Sequence, residues 1–197
     1  MNYFEFYELP VSFILDAQEV KRKFLERSKK YHPDFFVNEE AQQQSEMLEL
    51  STFNTRAYHA LSDFDRRMQY ILEMKNQVSE GERYELSPDF LMEMMDINEG
   101  LMELKAQHDS AKIETLRKQV RGLFDDLYQE VSSIVEAYRE EVSTESDLKK
   151  IKDYYYRKKY LLRIQQSLDT FAAHSWMQLL NFVSSSGSKL LRFKNPQ

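Results

Sequence analysis

Cysteine is absent from this chain of 197 residues. That absence excludes disulfides, thiolate zinc sites, cysteine-ligated iron–sulfur clusters and cysteine nucleophiles within the chain. Glycine and proline are scarce, with four residues of each. An all-β fold needs both residues in its frequent turns, so their scarcity favours a few long helices. The composition therefore predicts an all-α fold.

Long apolar runs and an excess of positive charge are also missing. No stretch approaches the roughly 18 apolar residues of a membrane-spanning helix, and the N-terminus does not have the pattern of a signal peptide. Acids outnumber Lys and Arg by 33 to 27, which argues against nucleic-acid binding. Hydrophobic residues make up 42%, enough for a core. We therefore expect a cytoplasmic protein with no nucleic-acid or membrane partner.

The spacing of apolar residues predicts the helices and their grouping. The expected helices cover residues 16–31, 39–63, 65–75, 87–107, 109–141 and 147–171. We expect the domains to be 1–75 and 87–171, with a linker over 76–86. The last three helices predict a small bundle. Residues 172–197 have two alternatives, a disordered tail or an extension of the last helix over 176–183.

A corner fixed by proline follows the first long helix, at Tyr31-His32-Pro33-Asp34. Between residues 19 and 31 the sequence has six Lys or Arg and two acids, although the whole chain is net negative. Because proline fixes its own φ, Pro33 should present His32 and Asp34 rigidly. Asp34 could then accept hydrogen bonds from a partner's arginine. The alternative is a chance tripeptide in a turn beside a solvated helix face.

Residues 2–72 resemble the J-domain of DnaJ-type co-chaperones, in which a basic helix precedes a His-Pro-Asp loop. Departures from the family pattern are Leu25 and Glu26 in the basic face, and Phe64 near the next helix. The resemblance implies that the chain stimulates the ATPase of a heat-shock chaperone. It assigns that stimulation to His32, Pro33 and Asp34. It assigns electrostatic docking to four cations: Lys21, Arg22, Lys23 and Arg27.

A methionine-rich segment opens the second domain, with four of the nine methionines between residues 92 and 102. The residues expected to face the bundle are Phe90, Met94, Ile97, Leu101 and Leu104. A second apolar stripe is left over: Leu91, Met95 and Met102, flanked by Met92. Flexible thioethers suit adaptable binding surfaces. The alternative is that this stripe packs under the first domain or the tail.

A J-domain followed by a bundle containing FLMEMMDINE resembles one family, the HscB-type co-chaperones of iron–sulfur cluster assembly. The match runs from the N-terminal MNYF to about Phe171. It implies that the bundle binds an IscU-type scaffold protein and delivers it to an HscA/DnaK-type chaperone. The implied scaffold contacts are Leu91, Met92, Met95, Asp96, Glu99 and Tyr160. Asp96 departs from the glutamate expected there, because its side chain is shorter.

The sequence offers no catalytic constellation, metal ligand set or cofactor motif. The four histidines are scattered, and isolated Gly100 and Gly122 are expected to mark close helix crossings. We therefore expect a monomer that is not itself an enzyme, and the resemblance implies that it activates the ATPase of a partner. Three alternatives remain: a J-domain protein for a different folded client, a helical enzyme, and an intermolecular coiled coil through the apolar seam over 113–138.

Overall fold

The computed structural model describes residues 1–79 and 81–190, and for residues 174–190 it describes the backbone only. Its regular structure in these residues is helical, so the all-α prediction is confirmed. Searched over the same part of the chain, no helix has the length and hydropathy needed to cross a membrane.

Eight α-helices and one 3-10 turn follow one another along the described chain. They are α1 (Tyr3–Tyr7), α2 (Ala17–Lys30), the 3-10 turn (Pro33–Phe36), α3 (Ala41–Leu61), α4 (Phe64–Met74), α5 (Pro88–Glu93), α6 (Met95–Ala106), α7 (Ser110–Ala137) and α8 (Glu145–Leu190). The helix expected over 87–107 is divided at Met94. The last helix continues through residues 172–190, which agrees with the alternative in which the tail extends this helix. Residues 191–197 lie outside the described part of the chain.

Side-chain caps explain where several helices begin. Asp16 accepts a hydrogen bond from the backbone N–H of Gln18 at the start of α2, as its position predicts. Ser87 caps α5 through the N–H of Phe90, with Pro88 at the first helical position. At α8 the hydroxyl of Thr144 accepts from the N–H of Asp147, whose carboxylate accepts from Thr144 in return.

The chain divides into two compact units, and the division cuts through α7 and α8. The first unit is residues 1–83 with 130–155, and the second is residues 84–129 with the described residues from 156 onwards. The segment 130–155, which the sequence placed in the bundle, thus belongs to the first unit.

The first unit has an aromatic and aliphatic core with one buried amide at its centre. Its fully buried side chains include Phe4, Tyr7, Phe13, Leu61, Met68, Ile71 and Leu72. Asn54 is buried among them, and its oxygen accepts from the hydroxyl of Tyr7 at 2.9 Å. The amide nitrogen of Asn54 donates to Ser28 Oγ at 2.9 Å. This satisfied network ties α1, α2 and α3 together.

The segments over residues 76–83 and 130–155 belong to the first unit and pack within it. The Tyr138 ring meets the buried Phe13 ring edge-on, with centroids 4.7 Å apart. The carboxylate of Glu82 lies 2.5 Å from Lys152 Nζ, and Val78 is buried. The segment expected to be a linker is therefore packed against its own unit at these residues.

The second unit is built around a close approach of α6 and α7. A Cβ added to Gly100 would lie 3.0 Å from both δ carbons of Leu116, so the expected close crossing is confirmed there. At Gly122 an added Cβ would meet nothing within 4 Å, and the same expectation is wrong. The seam residues Ile113, Val120 and Leu127 are buried within this unit rather than left exposed for a second chain.

Candidate functional site

The first candidate surface is the corner between α2 and the 3-10 turn. Pro33 opens the turn, and His32 caps it by accepting a hydrogen bond from the N–H of Asp34, Nδ1 to N 3.3 Å. The N–H of Phe35 donates to the carbonyl oxygen of His32 at 3.1 Å. Proline and two local hydrogen bonds therefore fix the backbone at this corner.

The side chains of His32 and Asp34 at the corner face solvent. The side chain of His32 is 51% exposed and that of Asp34 is 82% exposed, with Nδ1 and Oδ2 separated by 3.7 Å. Pro33 is exposed as well. A partner can therefore reach the carboxylate of Asp34 without any rearrangement of the described chain.

The cations expected beside the corner do not share one role. Lys21 and Arg22 are exposed on the outer face of α2. Arg22 already contacts two acids of its own helix, Glu19 at 2.6 Å and Glu26 at 3.5 Å. The hydrogen bonds that Arg22 donates to the carboxylate of Glu19 raise the pKa of Arg22 and lower the pKa of Glu19. The acids reduce the net charge that this face offers a partner.

Lys23 and Arg27 lie on the opposite face of α2, and their place corrects the expectation from the sequence. Both are buried and bind the carboxylate of Glu8, Lys23 Nζ at 2.7 Å and Arg27 Nη2 at 2.8 Å. The hydrogen bonds from Lys23 and then Arg27 lower the pKa of Glu8 to about 2. These two cations therefore hold α2 to the end of α1, and the geometry does not offer them for docking.

Apolar side chains next to the corner were not singled out from the sequence. Phe35 and Val37 are each 66% exposed, and Leu48 on α3 is also exposed. The signal for Phe35 and Val37 in the sequence is the run Phe35-Phe36-Val37 directly after the loop. Phe36, between them, is half-buried.

The second candidate surface is the leftover stripe on α5 and α6. Phe90, Met94 and Ile97 are buried, as the spacing predicts. Leu91, Met92, Met95 and Met102 are exposed, from 45% for Leu91 to 71% for Met102. Within its own unit the stripe is therefore an exposed apolar surface.

Acids border this stripe and a local break shapes its backbone. Met92, Asp96 and Glu99 follow one another at helical spacing, and both acids are exposed. Met94 sits between α5 and α6 with φ −79° and ψ −3°, closing one helix and starting the next. The surface therefore combines flexible apolar side chains with carboxylates that could pair with cations of a partner.

Tyr160 supports the stripe from α8 and is only half exposed. Its hydroxyl accepts a hydrogen bond from Asn98 Nδ2 at 2.8 Å, and its ring meets the Phe90 ring edge-on at 5.7 Å. Tyr156, one helical turn before it, stacks on Tyr84 with ring centroids 4.3 Å apart. Both tyrosines therefore have packing partners within their own unit.

Comparison with known proteins agrees with the resemblance found in the sequence. Residues 86–169 match the family model described as the HSCB C-terminal oligomerisation domain. The chaperone HscB from Vibrio cholerae is 22% identical with a TM-score of 0.67, over 88% of this chain and 99% of that one. The human co-chaperone HscB is 23% identical with a TM-score of 0.70, over 86% and 81%. The resemblance to HscB-type co-chaperones is thus confirmed, through the family model for the C-terminal region and through the fold.

Proposed function

We propose that this chain is a co-chaperone with two binding surfaces. The stripe on α5 and α6 binds an IscU-type scaffold protein. The corner at His32-Pro33-Asp34 docks on an HscA/DnaK-type chaperone and stimulates its ATPase. The scaffold is thereby delivered to the chaperone in support of iron–sulfur cluster assembly or transfer, and the nucleotide chemistry belongs to the partner.

The exposed His32-Pro33-Asp34 corner at the end of a cationic helix is the observation that carries this proposal. A trigger for another protein's active site must be accessible and must keep its shape on contact. The exposed carboxylate of Asp34 and the proline-fixed backbone meet both requirements. A rigid corner loses little conformational entropy when it docks.

The outer face of α2 would bring the chaperone to the corner. Lys21, Arg22 and Lys29 are exposed there, and a cationic face attracts an acidic partner surface over roughly 10 Å at 0.1 M salt. Lys23 and Arg27 stabilise the helix from behind through Glu8. Docking should therefore depend on the exposed cations rather than on all four cations that the sequence suggested.

The stripe would hold the scaffold mainly through burial of apolar surface. Leu91, Met92 and Met95 are available for this, and each apolar side chain buried completely contributes roughly 1.5–3 kcal/mol. Asp96 and Glu99 would pair with cations at the edge of the contact. Tyr160 would position the stripe through Asn98 and Phe90 and contribute its remaining exposed edge.

Holding both partners on one chain would raise their effective concentration for each other. Stimulated hydrolysis would then leave the chaperone in its ADP state, which binds clients tightly. We expect the chain itself to be a monomer, because the apolar seam of α7 is buried within the chain. Sedimentation velocity at micromolar concentration tests this expectation.

Two titrations with purified proteins test the proposal. Calorimetry should show one scaffold molecule bound per chain, and single-turnover assays should show faster ATP hydrolysis by the chaperone when the chain is added. Stimulation without scaffold binding would mean that the chain serves a different folded client. Scaffold binding without faster ATP hydrolysis would contradict the assignment of ATPase stimulation to the His32-Pro33-Asp34 corner.

A further inference from the structure

Three exposed apolar side chains lie around the corner and have no role in the function proposed above. We call Phe35, Val37 and Leu48 the apolar rim. Each is more than half exposed. Single exposed apolar residues are ordinary, but a group of them beside a functional loop indicates an interaction surface.

The rim is continuous with the corner. The ring of Phe35 lies 5.6 Å from the ring of His32, centroid to centroid. The side-chain amide of Gln44 donates to the carbonyl oxygens of Val37 at 3.1 Å and Glu39 at 2.8 Å, which holds the end of the turn against α3. Leu48 follows Gln44 by one helical turn and shares its face. A partner seated on His32 would therefore reach the rim.

Charge indicates what kind of partner surface fits here. Lys21 and Lys29 are exposed on α2, with the exposed Leu25 one turn from each of them. The same face therefore alternates cations with an apolar side chain before it reaches the corner. The partner surface that complements this face of α2 is an apolar patch bordered by acids, and it would lie on the chaperone that contacts His32.

We propose that the apolar rim is a docking surface for the same chaperone that receives the His-Pro-Asp corner. The rim supplies affinity that salt does not screen, while the corner supplies the stimulation. This inference rests on the proposed function, because it assumes that the chaperone docks at His32. In the proposed interface, the rim contributes affinity for the chaperone and the corner stimulates its ATPase.

The test is the double variant Phe35→Ala with Val37→Ala, titrated against the chaperone. We expect its Kd to rise about tenfold, equivalent to about 1.4 kcal/mol, with maximal stimulation at saturation unchanged. Phe35→Leu with Val37→Ile should restore the affinity, because burial and not ring chemistry is required. Val142→Ala is the matched control, since Val142 is an apolar residue 76% exposed on the same unit.

Repeating the titration at about 0.5 M salt separates the two contributions, because the cationic face is screened there and apolar burial is not. The wild type should keep measurable affinity at this salt concentration, and the roughly tenfold difference in Kd between it and the double variant should persist. Equal affinities of wild type and double variant at both salt concentrations would contradict the docking role of the rim. The role proposed for the His-Pro-Asp corner would be unaffected. A wild type that neither binds nor stimulates the chaperone overturns the proposed function itself.

Discussion

The corner after α2 and the stripe on α5 and α6 are built in opposite ways. The corner is a short turn whose shape is set by Pro33 and by hydrogen bonds around His32. The stripe consists of long side chains such as Met92 and Met95, which change rotamer easily. A contact that triggers chemistry elsewhere needs fixed geometry, whereas a contact that holds a folded client needs apolar area that adapts to it.

The two surfaces also differ in charge. Exposed cations such as Lys21 and Lys29 lead to the corner, while Asp96 and Glu99 border the stripe. A partner surface that complements one would be repelled by the other. Charge should therefore keep chaperone and client on their own surfaces, and each surface should fail separately when it is altered.

The largest effect is expected from His32→Gln. This change replaces the ring that caps the turn and leaves the stripe untouched, so stimulation of the chaperone's ATPase should fall to the basal rate. Single-turnover hydrolysis measures it, and scaffold affinity by calorimetry is the control. Undiminished stimulation would show that the corner is not the trigger.

A smaller loss is expected from Leu91→Ala combined with Met92→Ala. Truncating two side chains that become buried should weaken scaffold binding by roughly 2 kcal/mol, or about 30-fold. Stimulation of the chaperone in the absence of scaffold should not change. Leu162→Ala, an exposed leucine on α8, is the control. If calorimetry gives the wild-type affinity for the double variant, the stripe is not the scaffold surface.

A change in ionic strength should produce a smaller difference between the two surfaces than the substitutions above. Between about 50 and 300 mM salt, chaperone affinity should fall several-fold because the α2 cations are screened. Scaffold affinity should change less, because apolar burial dominates that contact. Fluorescence anisotropy at a series of salt concentrations measures both. Equal slopes would contradict the assignment of electrostatic docking to α2 alone.

The smallest effect on binding is expected from Glu8→Gln, which tests the division of the α2 cations. At neutral pH this variant should be less stable than the wild type and should still dock on the chaperone, since Lys23 and Arg27 face Glu8. A higher affinity in the folded variant, from cations released by the missing carboxylate, would return Lys23 and Arg27 to the docking surface.

The pH dependence of stability provides a second measurement on Glu8. Its pKa is lowered from 4.5 to about 2, so the unfolded chain binds more protons in that interval. The stabilisation is complete above the unfolded pKa and is lost as the pH falls from about 4.5 through about 2. Thermal melts should show a smaller loss over this window for Glu8→Gln than for the wild type.

The parts of the fold and site that depend on local sequence were predictable. The starts of α2 and α5, the buried face of Phe90, Met94 and Ile97, and the leftover stripe all follow from spacing within one helix. The resemblance to HscB-type co-chaperones supplied the proposed scaffold contacts, which spacing alone could not assign.

Contacts between segments distant in the sequence were not predictable in the same way. The partner of Lys23 and Arg27 is Glu8, on another helix, and helical spacing reveals a face without showing what covers it. Burial of Val78 and the pairing of Glu82 with Lys152 were hidden by the loop-like composition around Gly81. Gly122 was misjudged because a glycine in a helix signals a close crossing only when a neighbour is there.

The packing of Tyr138 on Phe13 has a consequence for which fragments of this protein can be produced separately. Residues 1–75 have the outline of a self-sufficient module, yet part of their interior is completed by a hairpin much later in the chain. A fragment cut at Lys75, or a chimera that borrows only that stretch, would leave one side of a buried phenylalanine bare to water. The N-terminal portion is therefore not an interchangeable cassette, and dissection experiments should keep residues 130–155 with it.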